Sequence, residues 1–178
     1  GLRSMTALVI GGAASGKSAF AEALTVKGGV EPRYYIATLM PFDGEDGRRI
    51  ARHREARSGK GFVTLERYTG LSGLALPARG AALLECLGNL TANEIFSPQG
   101  AGAGALDAVV GGVLSLAEQC GDMVVVTNDV FADGCAYAEG TNRYLEVLAA
   151  ANTALARRFD RVYEVVCGIP LLRKGETA

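Results

Sequence analysis

Histidine is almost absent from this sequence: His53 stands alone in 178 residues. Four cysteines, Cys86, Cys120, Cys135 and Cys167, are scattered without a C-x-x-C pair. A lone histidine and unpaired cysteines make a poor structural zinc set, and free buried thiols in a reducing compartment are the expectation. No apolar run approaches the roughly 20 residues of a membrane-spanning helix. No signal peptide is evident either, because the first apolar stretch is short and runs straight into glycines. These readings together predict a cytoplasmic protein. A net charge of −1 removes any overall basic field, and with it the general case for a nucleic-acid partner.

What is present fits one folded domain over residues 1–178, with residues 1–4 read as an extended start or an expression scar. Hydrophobic residues make up 49% and charged residues 21%, as in an ordinary globular domain. Short apolar runs alternate with helical patterns. Strands are predicted over 6–10, 33–37, 62–68, 81–86, 122–129 and 161–169. Helices are predicted over 18–26, 48–57, about 90–96, 105–119 and about 142–158, the last with Leu145, Leu148, Ala149, Asn152 and Leu155 along one face. The glycine-rich stretch 100–104 reads as an exposed connection between two helices. Buried strands alternating with helices give an α/β fold, a mostly parallel sheet flanked by helices in a three-layer sandwich.

The stretch "GGAASGKS", Gly11-Gly12-Ala13-Ala14-Ser15-Gly16-Lys17-Ser18, meets G-x-x-x-x-G-K-[ST] in full between a predicted strand and a predicted helix. Glycines let the backbone wrap a phosphate, and the helix N-terminus favours its charge. Lys17 reaches the outer phosphates, and the Ser18 hydroxyl is suited to Mg²⁺. The sandwich is therefore of the P-loop NTPase type, with a nucleoside triphosphate as ligand. Two carboxylates at strand ends, Glu85 after "AALL" and Asp129 after "VVVTN", are candidates for the metal shell, and the sequence does not rank them.

"GRRIARHREAR" (Gly47–Arg57) carries five arginines and His53 in eleven residues. Helical spacing puts Arg49, His53 and Arg57 on one face. Three readings stay open on the residues alone: a solvated charged helix, a nucleic-acid contact, or a catalytic histidine. In the last, a neutral imidazole attacks phosphorus while arginines stabilise the phosphoryl group.

In order along the chain, "LVIGGAASGKSAFAEAL", "YYIAT", "DGEDGRRIARHREAR", "LLEC", "VVVTNDV" and the Asn152-containing helix leading into "CGIP" resemble one family. It is the bifunctional adenosylcobinamide kinase/adenosylcobinamide-phosphate guanylyltransferases of cobalamin biosynthesis. The resemblance implies transfer of a phosphoryl group from ATP or GTP to the aminopropanol arm of adenosylcobinamide. It further implies that GMP passes from GTP through His53 to that phosphate, giving adenosylcobinamide-GDP. His53 and Lys17 become catalytic residues, with Arg49, Arg57, Glu66, Glu85 and the loop 11–18 binding nucleotide. Ser18, Glu85 and Asp129 are assigned to Mg²⁺. The resemblance also implies a homo-oligomer, a trimer. Phe131 stands where a glycine is usual, Leu145 where an arginine is common and Ala149 where a glycine is common. Phe62 replaces the usual tryptophan. Phe131 and Leu145 bear on corrinoid handling more than on nucleotide binding. The alternatives are a P-loop small-molecule kinase without guanylyl transfer, and a nucleotide-binding, non-enzymatic paralogue.

Overall fold

The computed structural model describes residues 4–40, 55, 57, 59–129 and 139–176. Strand β1 (Met5–Gly11) leads into helix α1 (Lys17–Lys27), then β2 (Arg33–Ala37), β3 (Phe62–Glu66) and β4 (Ala81–Glu85). Helices α2 (Leu87–Phe96) and α3 (Ala105–Glu118) precede β5 (Asp122–Asn128). Helix α4 (Glu139–Arg158) and the hairpin β6 (Arg161–Val166) and β7 (Ile169–Lys174) complete the chain.

The seven strands lie in the order β3-β2-β4-β5-β1-β6-β7. All neighbouring pairs are parallel except β6 and β7. The central strands explain why their sequences lack alternation. Ala7, Leu8 and Val9 of β1, Ala81–Leu84 of β4 and Met123–Val126 of β5 are all fully buried, because helices cover both faces of the sheet. One face packs α1 through Ala21, with Phe20 and Leu24 at its margin. The other receives Leu87 and Leu90 of α2, Val109, Val113 and Leu116 of α3, and Leu148, Ala151 and Leu155 of α4. A three-layer α/β sandwich results, and every parallel strand ends on the same side.

Several boundaries differ from expectation. The predicted strand 161–169 is two strands, broken at Cys167-Gly168, where both residues have positive φ. Helix α2 begins at Leu87 rather than near 90, because Cys86 caps it: the Asn89 amide donates to its Sγ at 3.4 Å. The strand expected over 62–68 ends at Glu66. The buried stripe of α4 is centred on Leu148, Ala151 and Leu155, with Leu145, Ala149 and Asn152 at its margin. Of the thiols, Cys120 is buried, Cys86 half-buried and Cys167 exposed, so burial of all the thiols does not hold. Cys135 and Phe131 lie outside the described residues. Of the helix expected over 48–57, Glu55 and Arg57 are described and both are helical.

Candidate functional site

The C-terminal end of β1 opens between β5 and β6, where a parallel sheet places its ligand crevice. The chain leaves β1 at Gly11 and turns through a loop before α1. Gly16 takes φ 90°, ψ 9° as the N-cap of α1, a left-handed geometry that glycine adopts without a Cβ penalty. Ala14 also sits at positive φ, 56°. The Lys17 ammonium folds back to donate to the Gly12 carbonyl at 3.0 Å. From the far side, Gly168 in the β6–β7 turn donates its N–H to the Ser15 carbonyl at 2.7 Å. The loop is thus braced by a turn that the sequence did not single out. Its anchor on the other flank is the Asp129 amide, which donates to the Gly11 carbonyl at 3.2 Å.

Ser18, in the first turn of α1, donates its hydroxyl to Glu85 Oε1. Glu85 is the last residue of β4, in register with Ala37 of β2 and Val126 of β5. Its other oxygen, Oε2, accepts from the Tyr35 hydroxyl at 2.8 Å. Tyr35 is buried in β2, and burial, reinforced by the Glu85 charge, pushes its phenol well above the usual range. The phenol therefore stays protonated and acts as a donor. Over its ring lies the Arg57 guanidinium, 3.6 Å from the centroid.

Two short stretches that looked like separate strands lock together here. Thr38, at the end of "YYIAT", accepts from the Cys86 amide at 2.8 Å and donates to the Cys86 carbonyl at 2.9 Å. Its own amide donates to the Glu85 carbonyl at 3.3 Å. Thr38 is fully buried. The backbone of "LLEC" is thereby fixed by a hydroxyl on the neighbouring strand, which sets where the Glu85 carboxylate points. Burial pushes the Cys86 thiol up, so Cys86 works as a neutral helix cap rather than a nucleophile.

At the end of β5, Thr127 donates to Asn152 Oδ1 at 2.6 Å, and Asn152 Nδ2 donates to the Asn128 carbonyl at 3.1 Å. Asn152 thus ties α4 to the strand end that borders the loop. Tyr144 and Asn128 converge on Gly88, where a Cβ would lie 2.8 Å from the Tyr144 hydroxyl and 3.0 Å from Asn128 Nδ2.

Of the candidates named from sequence, the structure brings Ser18 and Glu85 into direct contact and places Lys17 over the loop. Glu66 closes β3 on the same end of the sheet, two strands from Glu85, a separation of roughly 10 Å. It is exposed. Arg57 touches Tyr35. Arg49 and His53 lie outside the described residues. Sequence reasoning missed Tyr35, Thr38 and Gly168. A signal for Tyr35 was available: a tyrosine inside a buried parallel strand needs a partner for its hydroxyl.

A serine hydroxyl and a carboxylate form a hard oxygen donor pair, which fits Mg²⁺ with its other positions left to phosphate and water. The pair stands at the mouth of the loop 11–18, so the arrangement suits a metal–triphosphate complex.

Comparison with known proteins bears on which chemistry this is. A protein-family model described as cobinamide kinase / cobinamide phosphate guanyltransferase matches residues 7–172. The bifunctional adenosylcobalamin biosynthesis protein CobP of Pseudomonas aeruginosa is 35% identical, over 97% of this chain and 99% of its own length. Its counterpart CobU of Escherichia coli is 31% identical, over 93% of this chain and 97% of its own. Among solved structures, the flagellar accessory protein FlaH of Methanocaldococcus jannaschii superposes with TM-score 0.52 at 10% identity, covering 97% of this chain and 79% of FlaH. A second solved structure, an ATPase domain, gives a TM-score of 0.51 at 10% identity, over 92% of this chain and 70% of its own. At that identity the two structures speak for the fold alone.

Proposed function

Since the chain belongs to the cobinamide kinase/cobinamide phosphate guanyltransferase family, we propose that it carries out both reactions at the crevice above β1. The contact of Ser18 with Glu85 beneath the loop supports this reading most directly, because it supplies the metal–triphosphate half that both reactions share.

In the kinase step, the loop 11–18 holds the triphosphate of ATP or GTP and Lys17 exchanges its Gly12 contact for the outer phosphates. The hydroxyl of the adenosylcobinamide aminopropanol arm attacks the γ-phosphorus, its proton passes to solvent, and the bond from the γ-phosphorus to the bridging oxygen breaks as the nucleoside diphosphate leaves. Mg²⁺ held by Ser18 and Glu85, with Asp129 nearby, would neutralise charge on the phosphates. In the second step, the neutral His53 imidazole attacks the α-phosphorus of GTP, forming a P–N bond as pyrophosphate departs. The phosphate of the corrinoid then attacks that phosphorus and releases His53, giving adenosylcobinamide-GDP. A phosphoramidate is a labile relay, and the arginines around His53 stabilise the charge that builds on the phosphoryl oxygens. Arg49 and Glu66 complete the nucleotide site in this reading, with Arg57 beside it over the Tyr35 ring. A cytoplasmic homo-trimer belongs to it as well.

The test uses Mg²⁺ and GTP labelled at the α-phosphorus. Wild type is expected to take up acid-labile, alkali-stable label, and His53→Ala to take up none while still phosphorylating adenosylcobinamide. Absence of label from wild type, with phosphorylation intact, would leave a kinase without guanylyl transfer.

A further inference from the structure

The Glu85 carboxylate has two oxygens and two different partners. Oε1 accepts a hydrogen bond from the Ser18 hydroxyl, and Oε2 accepts one from the Tyr35 hydroxyl at 2.8 Å. This division has a chemical consequence. A serine hydroxyl can offer a lone pair to a cation only if its proton is directed elsewhere, and Oε1 is where that proton goes. The carboxylate must therefore hold one rotation about its terminal torsion, which in glutamate is intrinsically broad. The hydrogen bond to Oε2 supplies that hold.

Tyr35 is itself fixed from three sides. Its ring sits in β2, which pairs with β4 so that Tyr35 lies opposite Leu83, two residues before Glu85. Phe62 meets it edge-on, with centroids 6.3 Å apart. The Arg57 guanidinium covers a face at 3.6 Å. Arg57 is 9% exposed, and its Nε is buried without a hydrogen-bond partner. A guanidinium accepts that loss when an aromatic face and a nearby negative charge stand in for the missing acceptors. One face of the Arg57 guanidinium is thus committed to the ring.

We propose that Tyr35 is the positioning residue of the phosphate site, holding Glu85 in the orientation that frees Ser18 for the metal, and that Arg57 acts on the site through Tyr35. The chain Ser18–Glu85–Tyr35–Arg57 runs from the phosphate loop across β4 and β2 to the arginine-rich segment. The proposal rests on the reading of Ser18 and Glu85 as metal ligands.

The experiment measures free Mn²⁺ by electron paramagnetic resonance in the presence of a non-hydrolysable ATP analogue. Variants are Tyr35→Phe, Arg57→Met, Glu85→Gln and the double variant Tyr35→Leu/Arg57→Met beside Tyr35→Leu. Thermal melting checks that each is folded. Tyr35→Phe keeps the ring and is expected to weaken Mn²⁺ binding about tenfold, the usual scale for a residue that orients a metal ligand. Its affinity for the analogue without metal is expected to stay at the wild-type value. Arg57→Met should weaken Mn²⁺ binding in the wild-type background and add nothing once Tyr35 is leucine. Wild-type Mn²⁺ affinity in Tyr35→Phe, with Glu85→Gln weakened, would overturn the proposal and leave the metal-ligand reading standing. Wild-type affinity in Glu85→Gln would overturn both. Weaker metal-free nucleotide binding in Arg57→Met, persisting in the Tyr35→Leu background, would make Arg57 a direct nucleotide contact and overturn its part.

Discussion

At the level of single residues, burial decides which thiols and phenols keep their protons. Burial pushes the Cys120 thiol from 9.0 up to about 12, and Tyr35 rises for the same reason with the Glu85 charge added. Both groups therefore hold a proton in the folded chain at a pH where the unfolded chain has begun to lose it. The unfolded state then binds fewer protons, and stability falls as pH rises. For Cys120 the contribution is fully present below about pH 9 and drains away towards pH 12. Urea midpoints should accordingly drop between pH 8 and pH 10.5, and Cys120→Ala should flatten that slope. The same reasoning separates the thiols kinetically. At pH 8 a thiol reagent should label Cys167 quickly in the folded protein, and Cys86 and Cys120 only on unfolding.

Gly16 illustrates a residue whose role was legible from its motif and whose constraint was not. Its φ of 90° strains any side chain, and the Gly168 Cα 3.3 Å from a would-be Cβ makes the fit tight. Gly16→Ala is expected to cost about 1–3 kcal/mol, which lowers the melting temperature by about 2–4 °C per kcal/mol at this size. By contrast, Tyr35 and Thr38 were visible in the sequence only as part of a strand. Their work depends on which strand lies alongside, and a parallel neighbour separated by some fifty residues leaves no local pattern.

Among the elements, the central strands were legible as short unbroken apolar runs, and the P-loop helix from the glycine-rich motif that starts it. The β6–β7 hairpin was not. "RVYEVVCGIPLLRK" has no Asn-Gly or Asp-Gly to mark its turn, and β7 is largely exposed on both faces, so neither alternation nor a buried run signals it. Yet Val166 pairs with Ile169 across two residues that both have positive φ, 49° and 77°, the arrangement of a type I′ turn. Cysteine is a poor occupant of that first position and asparagine a good one. Cys167→Asn is expected to stabilise the fold by roughly 0.5–1 kcal/mol, measured as a rise in urea midpoint. Gly168 in the same turn donates to the Ser15 carbonyl, so the turn and the phosphate loop are joined. Helix α2 shows the other kind of miss. Its start is masked in the sequence because Gly88 sits in the first turn and cysteine is an unusual cap. The glycine is required by Tyr144 and Asn128 on its other side.

For the molecule as a whole, an α/β sandwich follows from composition and alternation, whereas the strand order β3-β2-β4-β5-β1-β6-β7 does not. That order is what brings Glu85 from β4 and Ser18 from α1 to one place, with β5 between β4 and β1. In the proposed reading it also makes ligand binding a property of the entire fold, because the loop, Glu85 and the bracing turn come from elements far apart in sequence. Nucleotide binding to the native state alone should then stabilise the whole domain. At one hundred times the dissociation constant the gain is about 2.7 kcal/mol, a rise of about 5–10 °C in melting temperature. The dependence on metal divides that rise between its sources. Nucleotide without Mg²⁺ reports the backbone loop and Lys17, so Lys17→Ala should abolish most of that part. On the proposed reading, the further rise on adding Mg²⁺ reports Ser18 and Glu85, and Ser18→Ala should remove it while leaving the metal-free rise in place. An equal loss of both parts in Ser18→Ala would mean that the serine holds the loop itself together rather than serving the metal.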